Sequence, residues 1–110
     1  MTGVRLYALQ RLSAGIMSPL VLLHLATILY AVANGLSAGE ILTRTQGSTF
    51  WALFYGIFVL AASVHASIGL RTIAIEWTSL DGRKAGICAG IFGLVLLVLG
   101  LRAVTAVVVP

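Results

Sequence analysis

Long apolar runs alternate along this chain with short polar breaks. Three runs, at about 12–33, 50–71 and 85–109, are each some 20 residues or longer and mostly apolar, the length a helix needs to cross a hydrocarbon core at a rise of about 1.5 Å per residue. The first break, "NGLSAGEILTRTQGS", is punctuated by Asn, Gly, Ser and Thr and predicts a small interfacial helix at "SAGEILTR". The second, "RTIAIEWTSLDGRK", reads as the second helix continuing past the membrane surface to a turn at "DGR". The pattern predicts an all-α membrane protein: three transmembrane helices in a single domain over 1–110, with no room for a soluble domain.

Composition strengthens that reading. Apolar residues make up 60% of the chain and charged ones 9%, with a mean hydropathy of +1.09, too apolar for a soluble domain with a polar shell. The net charge of +4 is carried by seven basic and three acidic residues, too sparse for a nucleic-acid footprint, so the expected partner is the lipid bilayer and not a nucleic acid. The single Cys88 excludes a disulfide within the chain and reads as a small packing residue. "MTGVRLYALQR" ahead of an apolar run and "YAVANG" has the outline of a secretory signal, but the run at 12–33 spans 22 residues, longer than a signal's apolar region, so a retained helix is expected.

The basic residues give an orientation. Arg5, Arg11, Arg71, Arg83 and Lys84 fall on one side, against Arg44 in the other loop and Arg102 near the end of the third helix. The N-terminus is therefore expected in the cytoplasm and the C-terminus outside, with Arg102 snorkelling to the outer surface. Tyr7, Tyr30, Phe50, Trp51 and Trp77 fall near helix ends, as interfacial aromatics do.

Against this background the polar groups inside the helices stand out. His65 shares a helical face with Ala61, Ala62, Gly69, Thr72 and Glu76. Small side chains one turn above and below an imidazole leave space for a flat group, and a porphyrin bound through the histidine is the expectation. An interhelical hydrogen bond would equally account for a histidine here, and small residues also serve simply to let two helices approach closely. His24, among Leu20, Val21, Thr27 and Ile28 and just after Pro19, is a second candidate ligand, with an interhelical hydrogen bond as its alternative. Arg11, Ser13, Glu76 and Trp77, with Arg71, are expected at one depth near the cytoplasmic surface. Donors, a proton source and an aromatic wall are what a quinone headgroup requires; membrane anchoring, and pairing of Arg71 with Glu76, would account for the same residues.

These residues resemble a family, the cytochrome b membrane-anchor subunits of succinate dehydrogenase and fumarate reductase. "QRLSAG" is similar to that family's His-Arg-x-Ser-Gly, and "HASIGLRTIAIEW" to its His-x-x-x-Gly-x-Arg followed by an acidic residue. The resemblance implies His65 as a haem b ligand, Gly69 as the gap that admits the porphyrin, Arg71 as partner of a haem propionate, and Arg11 near the quinone. It also implies a flavoprotein and an iron–sulfur subunit docked on the cytoplasmic side of a prokaryotic inner membrane. Gln10, Tyr7 and the additional Ala14 depart from the pattern around the quinone. The histidine of "SPLVLLHLATILY" resembles instead the five-helix anchors that hold two haems.

Counting along the helices, His24 lies about 20 Å below Arg11 and His65 about 9 Å from Arg71, an expected offset of about 10 Å between the imidazoles. Each would then hold its own haem, with the second ligand supplied by another membrane subunit or a second copy of the chain. Two rival functions share this outline: a haem-free structural anchor, which an absorbance spectrum separates, and a small transporter, disfavoured because the first helix lacks an acid and only three spans are expected.

Overall fold

The computed structural model describes residues 3–110 as four helices, α1 (Gly3–Asn34), α2 (Ala38–Thr45), α3 (Thr49–Trp77) and α4 (Gly82–Val108). Three of them, α1, α3 and α4, are long and apolar enough to span a membrane. They run up, down and up in a bundle 48 Å long and 23 by 22 Å across. The protein is an all-helical membrane bundle, as the spacing of its apolar runs predicts.

The middle helix, α3, packs against both α1 and α4, which have little contact with each other. Between α3 and α4 the packing depends on small residues: Ala85, Ala89 and Ser63 are buried, and Ser67 Oγ donates to the carbonyl of Ala89 at 2.7 Å. A Cβ on Gly93 would lie 2.8 Å from Ser67 Cβ, and one on Gly100 2.5 Å from Val59 Cγ1. Lipid tails provide no hydrophobic drive for helices to associate, so close approach and interhelical hydrogen bonds hold this pair together. The α1–α3 seam is looser. Ser13 is the one buried residue of α1, which leaves much of that helix surface for lipid or for another chain.

Capping shapes the two ends of the bundle. Ser37 caps α2 by accepting from the Glu40 amide at 3.2 Å, while its hydroxyl donates to Glu40 Oε1 at 2.7 Å, an N-cap arrangement. Thr45 Oγ1 donates to the Val107 carbonyl at 2.6 Å and the Gly47 amide to that of Val108 at 2.8 Å, giving partners to carbonyls that the end of α4 leaves open. At the other end Asp81 caps α4 by accepting from the Lys84 amide at 2.8 Å.

Several boundaries differ from those the hydropathy suggests. Helix α1 begins at Gly3, well before residue 12, because nothing in "GVRLYALQR" breaks a helix where the chain leaves the apolar layer. Pro19 lies inside α1 without ending it; the backbone its ring opposes belongs to Gly15, where no side chain adds to the crowding. The "DGR" turn supplies the cap and first residues of α4, so that helix starts at Gly82 rather than 85. Cys88 is exposed, a correction to its reading as a packing residue, since its neighbour Ala89 takes the inward position.

Candidate haem-binding seam

Both histidines lie on the α1–α3 seam, each partly buried. His65 Nδ1 is 3.3 Å from Ser13 Oγ and 3.3 Å from the Gln10 carbonyl, both on α1. His24 Nδ1 is 3.4 Å from the Tyr55 hydroxyl on α3, and its ring meets Tyr55 and Phe58 edge-on, with centroids 5.6 and 5.7 Å apart. These two contacts set the register of the seam. Eleven residues of α1 and ten of α3 separate them, an offset of about 15 Å along the bundle, larger than the 10 Å counted from the arginines.

The small-residue face around His65 is used differently from the sequence expectation. A Cβ on Gly69 would lie 3.3 Å from Gln10 Nε2, so the Gln10 side chain stands where a gap for a flat group was expected. Ala61 is buried in the same seam and Thr72 Oγ1 bonds its own helix at the Ile68 carbonyl. On α3 the small residues let α1 approach. The groove that His65 does line, of ≈ 440 Å³, is built from α1 by Ala14, Met17, Ser18, Val21 and Leu22, and it opens to the outside of the bundle.

The remaining candidates separate. Arg71 turns toward α4, with Nη2 3.3 Å and Nε 3.7 Å from Cβ positions built on Gly82 and Gly86, and lines with Arg83 a groove of ≈ 380 Å³. It lies about 120° around α3 from His65, so the two do not face one ligand within this chain. Arg11 and Ser13, two residues apart, take nearly opposite faces of α1: Ser13 meets His65, while the exposed Arg11 lies over the Tyr7 ring, 5.6 Å from its centroid. Glu76 and Trp77 are exposed at the end of α3, and Glu76 lies eleven residues beyond His65 whereas Arg11 is two from Ser13. The common depth fails by about 13 Å along the backbone, only part of which the Arg11 side chain recovers by reaching toward Tyr7.

The sequence did not single out Gln10 as a contact of His65. An imidazole placed inside a membrane needs a polar neighbour, and Gln10 and Ser13, three residues apart on one helix face, were available to provide it.

The chemistry of the donor set fits a haem at His65. Both of its hydrogen-bond contacts are made at Nδ1, and the ring borders a largely apolar groove in which Ala14 and Ser18 are small while Met17, Val21 and Leu22 are bulky. At His24 the fit is different: the ring stands between grooves of ≈ 470 and ≈ 320 Å³, with aromatic neighbours in place of small ones.

Three apolar helices, with two partly buried imidazoles on one seam and no helical or stranded domain outside the membrane spans among the described residues, define an integral membrane helical bundle. Residues 2–101 match the model of the succinate dehydrogenase/fumarate reductase transmembrane subunit, and the chain belongs to that family. Searches of curated proteins and of solved structures returned no match.

Proposed function

We propose that this chain is the cytochrome b anchor of a succinate:quinone oxidoreductase or fumarate reductase, holding haem b through His65 and helping to form a quinone site. The observation that carries the reading is the His65 ring itself, tethered at Nδ1 by α1 and bordering a groove that only a group or chain from outside can fill. Haem b, when bound, supplies a one-electron redox centre inside the membrane. The chain's own residues would hold it: a ring nitrogen of His65 would bind the iron, and Ala14 and Ser18 leave room beside the ring. His24 is the second candidate ligand, in a setting of aromatic neighbours. Because the imidazoles are about 15 Å apart, one iron cannot take both, so each site is completed by another membrane subunit or a second copy of this chain.

The basic residues at the N-terminal end favour the cytoplasmic side of a prokaryotic inner membrane for that end. There Arg71 and Arg83, in their shared groove, present positive charge to acids on a docked iron–sulfur subunit; a flavoprotein would carry the dicarboxylate chemistry. Arg11, Glu76 and Trp77 contribute to the quinone region from different depths and faces, so a partner must supply the rest of that pocket. Ser13 is withdrawn from it by its contact with His65.

The test is the absorbance spectrum of the purified complex after reduction. Bands of a low-spin b-type haem, together with reduction of quinone by succinate or oxidation of quinol by fumarate, are the expected result. A complex that assembles and lacks the bands would establish the haem-free anchor instead.

A further inference from the structure

We propose that Ser13, with the backbone carbonyl of Gln10, fixes His65 in the tautomer that carries its proton on Nδ1, and so keeps Nε2 as an open lone pair for a metal. The purpose of this lock rests on the reading of His65 as a haem ligand; its geometry does not. A carbonyl oxygen can only accept, and that of Gln10 lies 3.3 Å from Nδ1. Ser13 has one hydroxyl proton, and donates it to the same Gln10 oxygen at 2.9 Å. What its Oγ turns toward Nδ1, at 3.3 Å, is therefore a lone pair.

Both neighbours of Nδ1 then face it as acceptors, an arrangement that favours a proton on Nδ1. The other tautomer would set a bare nitrogen against two oxygens. Rotating the Ser13 proton toward the ring would relieve one clash, at the loss of the bond to Gln10, and would leave the carbonyl facing a lone pair. Water cannot readily take the place of Ser13, which is 4% exposed. His24 shows the contrast: its neighbour is the Tyr55 hydroxyl, able to donate or accept, so either tautomer is satisfied there.

Fixing the second ring nitrogen of a metal-binding histidine orients the ring and raises the basicity of the ligating nitrogen, and loss of such a partner lowers metal affinity by about 10- to 100-fold. Ser13 is thus a positioning residue for His65 and not a quinone contact.

The chain, haem-free in lipid nanodiscs and carrying ring-¹⁵N histidine, provides the test, with a His24→Gln sample to assign the two rings. His65 is expected to show a protonated Nδ1 and an unprotonated Nε2. Ser13→Ala is expected to give a mixture of tautomers, and Ser13→Thr, which keeps the hydroxyl, to restore the single form. In the assembled complex Ser13→Ala should weaken haem retention by about 10-fold or more and shift the haem potential, with Ser13→Thr close to wild type. A wild-type His65 protonated on Nε2, or a tautomer ratio unchanged by Ser13→Ala, would overturn the lock. A Ser13-dependent Nδ1 proton in a complex that retains no haem would uphold the lock and overturn the haem reading.

Discussion

His24 and His65 face the same helix seam about 15 Å apart, each against a hydroxyl from the opposite helix, Tyr55 for the one and Ser13 for the other. Axial nitrogens on one iron lie only about 4 Å apart, at metal–nitrogen distances of about 2 Å each. The two rings are therefore independent positions. In the intact complex, His24→Ala should leave the spectrum of a haem held at His65 unchanged, and haem-to-chain stoichiometry should not fall below its value with that site filled. Loss of the same haem on either substitution would show one iron shared by both.

The α3–α4 contact makes a prediction about assembly. A Cβ at Gly100 would come within 2.5 Å of Val59 Cγ1, whereas nothing lies within 4 Å of one at Gly90. Gly100→Val should lower stability by about 1–3 kcal/mol, the usual cost of overpacking, and Gly90→Ala should be close to neutral. Thermal or denaturant unfolding of the reconstituted chain measures the difference.

How much of this was legible in the sequence depends on what each feature requires. The helices were, since a run of apolar residues with polar punctuation needs no partner to be recognised, and the same punctuation marked the interfacial helix at "SAGEILTR". The face around His65 was not. Ala61 and Gly69 are small for the same reason whether a porphyrin or a neighbouring helix lies against them, and only the packed structure shows that Gln10 occupies the space at Gly69. Depth along the bundle was also hidden, because it follows from the register of α1 on α3. The direction of Arg71 could have been read: six residues from His65 is about a third of a turn away on any helix.

Arg11 offers a functional separation. It is exposed, lies over Tyr7 and has no role in the packing of α1 on α3, so Arg11→Ala should leave the bundle intact. Quinone reduction is expected to fall while electron transfer from the soluble subunits to artificial acceptors continues. Equal loss of both activities would assign Arg11 to assembly.

Topology follows from charge. With Arg5, Arg11, Arg71, Arg83 and Lys84 at one end of the bundle, a reporter fused after Pro110 should be active only outside the cytoplasm. Removing positive charge from the second loop, by Arg83→Gln with Lys84→Gln, should weaken that bias. A reporter active in the cytoplasm would reverse the bundle and put the Arg71–Arg83 groove on the outer face.

Everything proposed for electron transfer through this chain depends on His65 holding a haem through its imidazole. The reduced-minus-oxidised absorbance spectrum of a His65→Ala complex, shown by subunit composition to be fully assembled, addresses that directly. Loss or severe alteration of the low-spin b-type bands is the predicted result. A fully assembled His65→Ala complex whose spectrum matches that of the wild type would contradict it.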